Sequence, residues 1–100
     1  MLFRSVHAFR DGFFPDEWAC IKGVFEEIKV AFDPDLIFTH HSGDMHQDHR
    51  MICELTWNTF RNHTILEYEI PKYDGDLNTP SVYVPVSAET AQRKAAALLD

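Results

Sequence analysis

Six histidines occur in this 100-residue chain, and four of them, His40, His41, His46 and His49, fall within ten positions. Two carboxylates, Asp44 and Asp48, lie among them. Neutral imidazole and carboxylate are the donors that a borderline cation such as zinc takes. His46 and His49 are three residues apart, so a helix that has begun by then points both to the same side. Asp48 is adjacent and can hydrogen-bond an imidazole, which fixes its tautomer and raises its basicity. Helix entry at the same place leaves backbone N–H groups for an anion or an oxyanion. His7 and His63 stand apart and read as solvated bystanders. Cys53, four after His49, reads as a small buried hydrophobe rather than a ligand.

The elements that must position this cluster follow from periodicity. Residues 2–9 form a weak strand candidate, followed by the Asp11-Gly12 turn signal. Pro15-Asp16-Glu17 opens a helix, since proline suits a first turn and acids suit the positive end of the helix dipole. Trp18, Ile21, Val24, Phe25, Ile28, Ala31 and Phe32 recur at spacings of three and four and mark one buried stripe. Pro34 stops the helix by pushing Asp33 out of the helical region. Leu36–Thr39 is apolar without alternation and reads as a strand buried on both faces. A loop, residues 40–44, leads to a second helix over 47–62 with Ile52, Leu55 and Thr59 inward, joined by Trp57 and Phe60. Residues 65–70 alternate, with Glu67 and Glu69 on a wetter, solvated side. Tyr73-Asp74-Gly75-Asp76 is a turn, and 81–86 is an edge strand marked by Pro85. Ser87 caps a final helix over 89–99.

Strand and helix thus alternate along one domain, which predicts an α/β layer structure with a mainly parallel sheet. In such sheets a ligand site lies beyond the carboxyl ends of the strands, where the histidine cluster begins. Nine Lys and Arg against sixteen Asp and Glu give a formal charge of −7. That balance argues against nucleic acid or an anionic membrane as partner. No apolar run approaches the ~20 residues of a membrane span. Two cysteines without a CxxC pattern fit free thiols in a reducing compartment, and with no export signal the chain is placed in the cytoplasm.

The segment from Pro34 to Arg50, PDLIFTHHSGDMHQDHR, resembles the second motif of the LmbE-like, PIG-L-type de-N-acetylase family, approximately PDxxxTHxxxDxHxDHR. Residues 6–12 and 69–77 resemble flanking stretches of that family, so the likeness covers most of the chain. The resemblance implies a Rossmann-like, three-layer α/β fold and a zinc-dependent hydrolase that removes acetyl from N-acetylglucosamine-type conjugates. By the matching motif, His49 would be a zinc ligand. His46 would polarise the amide oxygen or act as general acid, and Asp48 would orient one of these histidines. Asp44 would sit at the rim of the site, facing substrate. A cation lowers the pKa of bound water and polarises a carbonyl, while an imidazole can stabilise the oxyanion and protonate the amine.

The family's first motif, AHPDD, supplies further ligands and the general base. It does not occur in these 100 residues. The expectation is therefore a partial domain, residues 1–100, lacking the first βαβ portion and inactive alone. A truncated parallel sheet would expose an unpaired strand edge open to self-association. The alternative is a non-catalytic metal-binding or interaction domain derived from the same family. A metallo-β-lactamase HxHxDH pattern fails, because Asp44 stands where its first histidine belongs.

Overall fold

A computed structural model describes residues 4–99. Its elements are α1 (Trp18–Ala31), β1 (Leu36–His40), α2 (Gln47–Thr59), β2 (Thr64–Tyr68) and α3 (Ala88–Leu99). A 3-10 turn, Phe14–Glu17, carries Pro15 and two acids into α1, as its sequence indicates. The α1 helix ends at Ala31, and Phe32 is already extended (φ −146°, ψ 137°), two residues ahead of Pro34. Ser87 Oγ accepts from Thr90 N at 3.1 Å and caps α3.

β1 and β2 pair in parallel, with Phe38 opposite Leu66 and His40 opposite Tyr68. The α2 connection between them makes a βαβ unit, the minimal parallel crossover. One face of this sheet carries Thr39 and Glu67, which bond to Thr56 and Trp57 of α2. The fold is therefore mixed α/β with a two-stranded parallel sheet.

The core lies where α1 crosses α2. Ile21, Met51 and Leu55 are buried there, with Phe9, Phe14, Trp18, Phe25 and Ile52 packed around them. The predicted stripe of α1 points inward from Trp18 to Ile28, but Ala31 and Phe32 are exposed past the end of α2. On α2, Leu55, Thr59 and Phe60 are buried as expected, whereas Trp57 is exposed and leans toward β2.

Three expectations are corrected. Leu36 and Phe38 are 45% and 63% exposed, so β1 is covered on one face rather than two. Of the helices, α2 packs against β1, while Phe38, Leu66 and Tyr68 line a cavity with the irregular segment that carries Val82 and Val84. Residues 4–9 are irregular; the rest of that strand candidate, residues 2–3, lies outside the described residues. Residues 81–86 are also irregular, with Tyr83 and Val84 well exposed. Strand propensity in these two segments finds no ladder to join, and an unpaired extended segment has no backbone bonds to hold it. The α3 helix has no buried residue.

Stability should follow this distribution. Leu55→Ala, at a fully buried position, is expected to cost about 2–5 kcal/mol. Ala96→Gly, in α3, is expected to leave the main unfolding transition in place. Urea titration followed by tryptophan fluorescence checks both, and a large shift for Ala96→Gly would show that α3 belongs to the cooperative core.

Candidate metal centre

His40 is the last residue of β1, half-buried at the carboxyl end of the strand. The chain then turns through His41–Asp44 and enters α2. A Cβ at Gly43 in that turn would lie 2.7 Å from His41 Nε2, so a larger residue there would make the His41 ring move. The N-cap of α2 is His46, with extended backbone (φ −78°, ψ 123°), and its Nδ1 accepts from Asp48 N at 3.1 Å. An imidazole here does the work usually given to a serine or aspartate. Since His46 Nδ1 accepts, the proton of its neutral ring sits on Nε2.

Asp44 lies at the centre of the cluster and is 2% exposed. Its Oδ1 accepts from His46 N at 2.8 Å and pairs with Lys72 Nζ at 3.0 Å. Its Oδ2 is 2.9 Å from His49 Nδ1. Burial pushes the Asp44 carboxyl up, but the bonds from His46 N, His49 and Lys72 outweigh it and hold the group well below the usual carboxylate range. The ionised carboxylate takes the His49 Nδ1 proton as donor, which leaves Nε2 with its lone pair for a metal. Arg50 Nη1 also donates to the Asp44 carbonyl at 3.0 Å.

Three imidazoles stack above this carboxylate. The His40 and His49 rings are 4.0 Å apart and nearly parallel, and the His46 and His49 rings are 4.4 Å apart. Burial, then the neighbouring His49, lowers the His40 pKa. The structure thus brings His46, His49 and Asp44 together as a group. His40, read from sequence only as a loop neighbour, belongs with them. His40, Asp44 and His49 present ligand atoms within 4.8 Å of one another, and so do Asp11, His46 and Asp48. The signal for His40 was its place at the carboxyl end of a strand.

Two assignments change. Asp44 lies beneath the histidines rather than at the rim, because its three charged or N–H partners require it there. Asp48 is buried, and its carboxylate orients no imidazole. Instead it accepts from Gly12 N at 2.6 Å and Phe14 N at 3.1 Å, tying the turn before α1 to the start of α2. Orienting a histidine is Asp44's task.

Glu67 is also not a solvated strand residue. It accepts from Ser42 N at 2.7 Å and Trp57 Nε1 at 2.9 Å, and lies 3.3 Å from His41 Nδ1. Burial raises its pKa, but these bonds outweigh it and hold it below its ordinary value. Glu67 thereby ties β2 to the His41–Ser42 turn and to α2. Cys53 is buried, and burial, with Glu67 nearby, pushes its thiol up to about 11. Cys53 lies in neither candidate ligand group and is fully covered, so it serves packing.

The chain matches no family model, no curated protein and no solved structure with which it was compared. No helix among the described residues is long and apolar enough to cross a membrane.

Acid stability follows from the two depressed carboxyls. Both are held below their ordinary values of 3.8 for Asp44 and 4.5 for Glu67. Their stabilisation is fully present above those values and is lost as pH falls through the lower folded ones. Asp44→Asn is expected to cost about 2–3 kcal/mol at pH 7, where a charge-assisted network is broken. Asp44→Asn and Glu67→Gln should each also flatten the decline of stability below about pH 4.5. Urea midpoints measured from pH 7 to pH 3 check this; parallel profiles for wild type and variants would contradict it.

Proposed function

We propose that these residues form the metal-binding part of a zinc-dependent de-N-acetylase site of the LmbE-like kind, on a Rossmann-like framework of which this chain carries a portion. One observation carries the reading. The carboxylate–imidazole pair Asp44–His49 is built as metal sites build it, with the inner nitrogen donated to a carboxylate and the outer one left open. The donor types fit the group: imidazoles, one of them backed by a carboxylate, are what catalytic zinc centres use. His40 Nδ1 is buried with no hydrogen-bond partner, a polar atom that a ligand would satisfy.

His49 would hold the cation as the motif designates, with Asp44 behind it fixing its tautomer, and His40 would join it once one of the two stacked rings turns. When bound, such a cation supplies Lewis acidity and an acidified water. His46 has a different task. Its Nδ1 is committed to the helix cap, so Nε2–H is the donor it can offer to a carbonyl oxygen and to the oxyanion that follows. Protonating the leaving amine from Nε2 would leave His46 anionic unless Nδ1 first gave up the cap and took a proton. Carbonyl polarisation is thus its favoured role, and Asp48 supports it by fixing the start of α2. The substrate class is an N-acetylated amino-sugar conjugate, by the motif's resemblance.

The carboxylates of this cluster are engaged: Asp44 by its three partners, and Asp48 by Gly12 and Phe14. Neither is placed as a general base. This favours the second reading, a metal-binding domain that does not catalyse on its own.

Zinc titration against a chromophoric chelator tests the site. We expect one zinc per chain, with His49→Ala abolishing measurable binding and Asp44→Asn weakening it by about 10–100-fold. Unaltered zinc affinity in His49→Ala would end the assignment. Purified protein with zinc is expected to release no acetate from an N-acetylglucosamine conjugate. Turnover that is lost in His46→Ala would show the chemistry to be complete.

A further inference from the structure

The chain that follows β2 comes back alongside it without joining the sheet. Asn78 N donates to Glu69 Oε2 at 2.6 Å and pins one end of this return. Among the described residues, no backbone hydrogen bond joins 78–84 to β2. Between the two lies a cavity of about 420 Å³. Phe38, Leu66, Tyr68, Val82 and Val84 form its apolar walls. Phe38 and Val84 are 63% and 76% exposed, so these walls stand in water. Nothing in the hydrolytic reading uses this space.

We propose that the cavity receives an uncharged apolar group to which the N-acetylated sugar is joined. The proposal rests on the de-N-acetylase reading for the sugar and extends it to the sugar's attachment. Position is the first argument. Tyr68 lines the cavity, and its ring centre lies 5.2 Å from that of His40. His41 lines the cavity as well. A group bound there is thus one side chain away from the stacked imidazoles. The volume falls within the roughly 300–1,000 Å³ of small-molecule pockets, which are mostly apolar with a few polar groups.

Charge decides the kind of group. The carboxylates in the lining are Glu67 and Glu69, and the lining holds no lysine or arginine. Glu67 is bonded to Ser42 N and Trp57 Nε1, which favour its ionised form. A phosphate or carboxylate linker would meet like charge here with no cation to offset it. An uncharged alkyl or aryl group meets no such cost and removes Phe38, Leu66 and Val84 from water, which is favourable. The site therefore selects glycosides with a neutral apolar aglycone and disfavours sugar phosphates.

Amide NMR titration of the wild-type protein tests this without zinc. The probes are benzyl N-acetylglucosaminide, methyl N-acetylglucosaminide and N-acetylglucosamine phosphate. The benzyl glycoside is expected to bind about tenfold tighter than the methyl one, as covering one aromatic ring allows. Its shifts should fall on residues 65–68 and 78–84, and the phosphate should bind no tighter than the methyl glycoside. Val82→Asp, on an irregular segment outside the core, is expected to remove the benzyl preference while keeping the wild-type urea midpoint. Equal affinities for the benzyl and methyl glycosides, or shifts confined to other residues, overturn the proposal. So does tighter binding of the phosphate, or an undiminished preference in folded Val82→Asp. The wild-type comparison decides the matter if that variant does not fold. Benzyl glucoside, which lacks the acetamide, is expected to shift the same amides. None of the cavity's walls named here is a candidate metal ligand, so a failed zinc titration and a failed benzyl preference are separate results.

Discussion

The arrangement of this molecule around its histidines depends on one buried carboxylate. Asp44 fixes the start of α2 through His46 N, the ring of His49 through Nδ1, and the 69–77 segment through Lys72. A buried charge is costly unless it is paired and hydrogen-bonded. Asp44 meets that condition only if all three elements are in place at once. Local chain geometry, the tautomer of a candidate ligand and the docking of a distant segment are therefore coupled through a single group.

Asp48 does the same for the other side of the site. By accepting from Gly12 and Phe14 it locks the turn before α1 onto the first turn of α2. It also places a negative charge at the positive end of that helix, where it is favourable. The α1–α2 core behind it, built on Ile21, Met51 and Leu55, then resists movement of the helix start. Two aspartates four residues apart thus divide the work: Asp44 organises the imidazoles and Asp48 anchors the helix that presents them. Glu67 adds a third tie, from β2 to the His41–Ser42 turn and to Trp57.

Much of this was legible from residue pattern. The spacing of apolar residues located α1 and α2, the apolar run and the alternation located β1 and β2, and Ser87 located the start of α3. The clustering of histidines marked the place where the structure gathers candidate metal ligands. What escaped was whatever depends on a partner distant in sequence. Residues 4–9 and 81–86 have strand-like composition, yet a strand exists only where a neighbour completes its ladder. Alternation put Glu67 on a solvated side, whereas it lies on the face that α2 covers, where Ser42 N and Trp57 Nε1 reach it. The same limit exchanged the roles of Asp44 and Asp48. Adjacency in sequence suggested that Asp48 orients a histidine, whereas the cap at His46 turns the chain so that Asp44 meets the His49 ring.

The cap also bears on what kind of chemistry this centre can support. A histidine that shuttles protons must be free to exchange both nitrogens between donor and acceptor roles. His46 has given Nδ1 to the backbone of its own helix, accepting from Asp48 N, which leaves Nε2–H as a fixed dipole. Fixed dipoles stabilise charge that develops on a neighbouring oxygen without reorganising as it forms. The His46 ring stacks on the His49 ring. Backbone capping and carboxylate pairing thus impose complementary tautomers on two adjacent imidazoles, one with a proton to offer and one with a lone pair to offer.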